Sequence, residues 1–88
     1  MSVRRVIRSF ILEELAQEEE LQNLSDTDPL IESGLLDSLA IAKLIRFLQV
    51  EFQIEIGDPE LIPENFATVE AICGLVGRLS RRARLIAL

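Results

Sequence analysis

The sequence predicts an all-α fold, and three observations carry that prediction. Leu, Ala, Glu and Arg are abundant while there are only four glycines and three prolines, so helix formers dominate and breakers are scarce. Apolar residues recur at intervals of three and four in three separate stretches, the spacing that lines one face of a helix. Long β-branched or alternating runs, the pattern of half-buried strands, are few. With 88 residues, 49% apolar and 27% charged, the chain suits one core and lacks the low hydrophobicity of disorder, so residues 1–88 are expected to form a single domain.

The first apolar series, Val3, Val6, Ile7, Phe10, Ile11 and Leu15, predicts a helix capped by Ser2 and running to about Gln17. Arg4, Arg5 and Arg8 at its start and Glu18 to Glu20 at its end both oppose the helix dipole, so packing must hold it. The glutamate run reads first as a solvated helix end and only second as a partner contact. From Leu21 to Asp37 the periodicity lapses, and Asn23, Ser25, Asp26, Thr27, Asp28, Pro29, Ser33 and Gly34 supply turn chemistry. A loop of this length in a small domain needs pinning, for which Leu24, Leu30, Ile31, Leu35 and Leu36 are available. Asp26, Asp28, Glu32 and Asp37 fall near calcium-loop spacing. That reading fails because Ile31 stands where a glycine must turn the loop, Pro29 stiffens it and Leu30 replaces an oxygen ligand.

A second helix starts at Asp37 or Ser38, with Asp37 as a natural cap, and carries Leu39, Ile41, Ala42, Leu44, Ile45, Leu48 and Phe52, a stripe broad enough to spill beyond one buried face. Gly57, Asp58 and Pro59 break the chain, and a short helical turn is expected from about Glu60 to Asn65. Thr68 caps the last helix, whose apolar face is Val69, Ile72, Cys73, Val76, Leu79 and Ala83. Arg78, Arg81, Arg82 and Arg84 near its end complement the dipole. Three long helices and one short third helix result.

A net charge of −6 argues against nucleic acid, which calls for a basic face, and favours basic partners. Arg8 interrupts the first apolar run and Glu13 and Glu14 follow, so a signal peptide is not expected here, and no apolar stretch is long enough to span a bilayer. A cytoplasmic monomer away from membranes is expected. The arginines of the last helix with Leu85, Ile86 and Leu88 also allow a membrane-surface helix, but the acidity of the rest of the chain favours an ordinary helix end. Cys73, the single cysteine, reads as a structural thiol.

Asp37-Ser38-Leu39 stands where a long loop meets a helix. A serine in a first helical turn is held outward on a rigid element, beside free backbone N–H groups and a positive dipole end that tolerate a phosphate ester. On these three residues alone plain capping suffices: Asp37 caps, and Ser38 is a common first-turn residue.

The wider constellation resembles the acyl carrier and peptidyl carrier protein family. Glu32-Ser33-Gly34-Leu35-Leu36-Asp37-Ser38-Leu39 is similar to its attachment motif, Phe52-Gln53-Ile54-Glu55-Ile56 to the close of its second helix, and Ile62-Pro63-Glu64-Asn65-Phe66-Ala67-Thr68-Val69 to its third helix and the start of its fourth. The resemblance covers residues 3 to 80. It implies the family's four-helix bundle, with a long loop between the first two helices. It further implies that a phosphopantetheinyl transferase attaches 4′-phosphopantetheine from coenzyme A to Ser38, reading Asp37 and Leu39 beside it, and that acyl or aminoacyl groups ride as thioesters on the arm. The chain has no histidine and nothing that reads as a general base, catalytic nucleophile or metal site for cargo chemistry, so it is read as a courier and not an enzyme.

In such carriers Leu39 with the exposed part of the second helix forms the docking surface, and Ile41, as an exposed apolar contact, with Lys43 and Arg46 are the further residues assigned to it here. The two cations depart from the acid-rich second helix of fatty-acid carriers and point to dedicated enzymes: a loading ligase and a downstream acyltransferase or synthase. Ordinary solvated helix surface explains Lys43 and Arg46 about as well. Leu35-Leu36-Asp37-Ser38 is similar to stand-alone carriers served by an adenylating ligase, such as the D-alanyl carrier proteins. The competing function is a helical adaptor that bears no prosthetic group and uses the apolar surplus of the second helix.

Overall fold

The computed structural model describes residues 2–15 and 24–87, with side chains as far as Arg82. Three α-helices carry the fold: α1 (Val3–Phe10), α2 (Ser38–Phe52) and α3 (Val69–Ala87). No strand occurs among the described residues, in keeping with the all-α expectation. α1 is capped by Ser2, whose Oγ accepts from the Arg5 N–H at 3.4 Å, and passes into a π-helical turn, Ile11–Leu15. The expected end of that helix at Gln17 and the Glu18–Glu20 run lie outside the described residues.

The short third helix takes a different form. Two separate 3₁₀ turns, Asp58–Glu60 and Pro63–Phe66, replace it. Each has a proline in its opening positions, and a proline there presets φ but donates no hydrogen bond to a preceding turn, so the second turn starts afresh instead of extending the first. α2 also stops before the Gly57 break. Gln53 adopts a left-handed conformation (φ 52°, ψ 49°), and Gln49 Oε1 accepts from the Ile56 N–H at 2.9 Å, turning the chain so that Ile54 and Ile56 are buried.

The core gathers Ile7 and Ile11 from the first helical segment, Leu44 and Leu48 from α2, Phe66 from the second turn, and Val69, Ile72, Leu75, Val76 and Leu79 from α3. Leu75 joins the expected face of α3, which is wider than one strict stripe. α1 packs on α3, and the stacked rings of Phe10 and Phe47, 4.0 Å between centroids, join α1 to α2. No side chain with a charge or polar group is buried among the described residues, so core stability rests on apolar burial and close packing.

The loop before α2 is pinned as its leucines predict: Leu24, Leu30 and Leu36 are buried, while Ile31 and Leu35 are half-buried. Backbone bonds fix it further. The Leu30 N–H donates to Ala67 C=O at 2.8 Å, and Asp26 C=O accepts from the Glu70 N–H at 3.0 Å, so the loop satisfies one of the open donors at the start of α3. Thr68 Oγ1 satisfies another, accepting from Ala71 at 3.0 Å. The arginines that oppose the α1 dipole find their reason here. Arg4 Nε lies 2.6 Å from Asp26 Oδ2 and Arg8 Nη1 3.3 Å from Asp26 Oδ1, while Arg8 also donates to Leu24 C=O.

Asp28 has its own partner. Its carboxylate accepts from the Ser25 N–H at 2.9 Å, and that bond, followed by the Ser25 side chain and the charge of Arg8, lowers its pKa below the ordinary carboxylate value.

Removing the shared carboxylate should be felt across the fold. Asp26→Ala is expected to lower the unfolding free energy in urea by about 1–3 kcal/mol. Arg8→Ala should cost more than Arg4→Ala, because Arg8 is the less exposed and holds a carbonyl as well; the reverse order would refute the clamp. For Asp28 the folded pKa is the lower one, so its stabilisation is present above the unfolded value and is lost as pH falls through the folded value. The stability gap between wild type and Asp28→Asn should therefore close as urea titrations move from pH 6 to below about pH 4.

Candidate functional site

Ser38 opens α2. Immediately before it, Asp37 takes an extended conformation (φ −89°, ψ −176°) and its Oδ1 accepts from the Ala40 N–H at 2.8 Å, so the cap predicted from sequence is formed. The Asp37 carbonyl accepts from the Ile41 N–H at 2.9 Å, the first bond of the helix. The loop delivers the chain to this point through a tight turn. Gly34 has φ +85° and its N–H reaches Ile31 C=O at 3.0 Å, while the Leu36 N–H returns to Leu30 C=O at 3.0 Å. A left-handed residue is needed at Gly34, where a side chain would be strained though no atom crowds it. Buried Leu36 then anchors the chain directly ahead of the cap.

The consequence is an exposed serine on a fixed base. Ser38 and Asp37 are both exposed, and no hydrogen bond engages the Ser38 hydroxyl among the described residues, whereas Leu44 and Leu48 on the inner face of the same helix are fully buried. A phosphodiester on Ser38 fits this position, with room outside it and a positive helix end beneath it.

Beyond Ser38 the sequence-assigned residues divide. Lys43 and Arg46 are exposed, and Leu39, directly after the serine, is 65% exposed. Ile41 is not exposed. It is half-buried and packed against the core, because α2 turns it toward the inner face with Leu44, Ile45 and Leu48. The expectation of an exposed apolar contact at Ile41 is corrected to Leu39 and to Val50, which is 74% exposed. Ala42 also faces out, so the buried stripe of α2 is narrower than its apolar content implied. Val50 carried a readable signal: it lies seven residues beyond Lys43 and four beyond Arg46, hence on the same face.

Other candidates fall away from the site. Cys73 is half-buried against the core, and burial pushes its thiol pKa up. Asp26 and Asp28, the would-be calcium ligands, are engaged by arginines and by Ser25. Arg78 donates to Asn65 Oδ1 at 3.1 Å, and Asn65 Nδ2 donates to Glu60 C=O at 2.8 Å, so that arginine braces the two 3₁₀ turns against α3. No helix among the described residues is long and apolar enough to cross a membrane.

Residues 5–76 of this helical domain match the family model for the phosphopantetheine attachment site; the chain belongs to that family. It is accordingly an acyl carrier that bears 4′-phosphopantetheine covalently, and it works with phosphopantetheinyl transferases and biosynthetic enzymes as such carriers do. Among curated proteins it is similar to the probable acyl carrier protein PigG of Serratia sp. (strain ATCC 39006), with 43% identity over 60 residues, 68% of this chain and 69% of that one. Among solved structures it is similar to a chain described as "Crystal structure of FAD-dependent dehydrogenase", with a TM-score of 0.65 and 29% identity, covering 85% of this chain and 99% of that one.

Two outcomes check this geometry. Asp37→Ala should lower stability by about 1 kcal/mol in urea while the fold persists, the cost of an ordinary cap. Cys73 in the native protein without its arm should react with Ellman's reagent at pH 8 several-fold more slowly than in urea, because burial keeps the thiol protonated and covered. Equal rates would place Cys73 at the surface.

Proposed function

We propose that Ser38 is the residue that holds the arm, and that residues 1–88 act as one carrier domain. The observation that carries the assignment is the exposed, unengaged hydroxyl in the first turn of a helix whose cap is already satisfied by Asp37. Ser38 would hold the group as a phosphodiester, with the helix end offsetting part of its negative charge. When attached, the group supplies a terminal thiol on which acyl groups form thioesters, whose sulfur leaves readily because a thiol is far more acidic than an alcohol. Asp37 and Leu39, flanking the serine, form the surface a transferase reads. The protein itself contributes position and tethering, with no catalysis of its own, in the cytoplasm.

Lys43 and Arg46 support a specialised pathway over general fatty-acid synthesis, with a ligase loading an acyl or aminoacyl group and a dedicated acyltransferase or synthase receiving it. A flavin-dependent dehydrogenase as a further partner is supported by the likeness to the chain of a structure described as an FAD-dependent dehydrogenase.

Coexpression with a broad-specificity phosphopantetheinyl transferase tests the assignment by intact-mass spectrometry. The wild type should gain one phosphopantetheinyl group and Ser38→Ala none, with circular dichroism unchanged. A wild type that stays unmodified, or an alanine variant that is still modified, would falsify the role of Ser38. A protein that folds and never accepts the group would instead fit the adaptor reading.

A further inference from the structure

The net charge and the surface beside Ser38 point in opposite directions. A chain of −6 should attract basic partners. Yet successive residues of a helix turn by about 100°, so Leu39, Lys43, Arg46 and Val50 fall within a sector about 60° wide on α2. All four are exposed, Leu39 and Val50 strongly so. They make one stripe that starts next to Ser38 and runs about 16 Å along the axis, apolar at both ends and cationic in the middle.

Two further facts make this stripe a surface for something else. Among the described residues the ion pairs within 4.0 Å all converge on Asp26, and none of them involves Lys43 or Arg46. Beside it, Val50 and the stacked rings of Phe10 and Phe47 contribute to a groove of about 500 Å³, which puts apolar floor next to the cations. Glu14 and Glu51 line the same groove. On α2, Phe47 lies between the Lys43 side and Glu51, so the groove is polarised, with cations at one rim and carboxylates at the other.

We infer that the enzyme segment that docks on α2 is an acidic amphipathic helix, with carboxylates meeting Lys43 and Arg46 and apolar side chains covering Leu39 and Val50. Charge complementarity fixes the sign, because a basic segment would meet Lys43 and Arg46 at the centre of its contact and a like-charge juxtaposition there is strongly unfavourable. The spacing fixes the length: about three helical turns are needed to reach from Leu39 to Val50. Polarity fixes the direction of approach, since an acidic segment is repelled from the Glu14 and Glu51 rim and drawn to the other. Net charge therefore describes the molecule poorly as a partner, for the stripe from Leu39 to Val50 has the opposite sign. This inference rests on the carrier role of Ser38 for its meaning but not for its measurement.

The probes are two helical peptides of about 18 residues, identical in their flanking leucines, one with two central glutamates four residues apart and the other with two lysines there. Each is titrated into the ¹⁵N-labelled protein without its arm. The glutamate peptide should shift the amides of Leu39, Lys43, Arg46 and Val50 and bind at least about tenfold more tightly than the lysine peptide, a difference of about 1.4 kcal/mol. Lys43→Glu with Arg46→Glu, both exposed and so compatible with the fold, should invert the preference. Equal binding of both peptides, no binding, or shifts confined to other surfaces overturns the inference. Mass analysis of the same preparation after transferase treatment separates the two questions. A protein that takes the arm and ignores both peptides refutes the docking inference alone, and one that binds the glutamate peptide but never takes the arm refutes the carrier role of Ser38 alone.

Discussion

Asp26 joins three parts of the molecule through one residue: its carboxylate receives Arg4 and Arg8 from α1, and its carbonyl receives the first turn of α3 through the Glu70 N–H. Arg8 extends the joint to Leu24 C=O, and the Leu30 N–H adds a second bond from the loop to Ala67. The loop is thus held from both sides before it reaches Leu36, and everything that presents Ser38 depends on that restraint. A long segment without regular structure has a large entropy to lose. Here the loss is offset by three buried leucines, by charge-assisted hydrogen bonds at the joint and by donors at the start of α3 that would otherwise lack partners.

The same restraint separates what is rigid from what is displayed. Leu36 on one side of Asp37 and Leu44 and Leu48 on the other are almost wholly buried, so the start of α2 cannot swing without opening the core. The capped end then leaves the Ser38 hydroxyl free for solvent and for an approaching enzyme. Chemistry on a tether needs this division: if Ser38 bears the arm as proposed, the scaffold gives it a fixed origin. Lys43 and Arg46 make no ion pair within 4.0 Å among the described residues, and a local patch of this kind governs close docking even when the total charge has the other sign.

Much of the fold was legible because its signals are local. Ser2, Asp37 and Thr68 each cap the helix expected of them, and Leu24, Leu30 and Leu36 do pin the loop. What was misread involved competition between neighbours. Pro59 and Pro63 mark two 3₁₀ turns where one short helix was expected, and Ile41 went inward while Leu39 and Val50 stayed out. Apolar content along α2 exceeds what one face can bury, and composition does not say which of the surplus side chains is left in water.

By itself the sequence determined that the chain is helical, where its three long helices begin, and that Ser38 sits at a capped helix start, since periodicity and capping act over a few residues and need no distant partner. The attachment motif, read with its flanking segments, was enough to point to the carrier family. Only the tertiary structure decided that the misplaced arginines of α1 serve Asp26, that Asp28 is spent on Ser25, and that Leu39, Lys43, Arg46 and Val50 form one exposed stripe. Those facts depend on contacts between residues far apart in the chain and on which face of α2 the core claims, and both are set by packing.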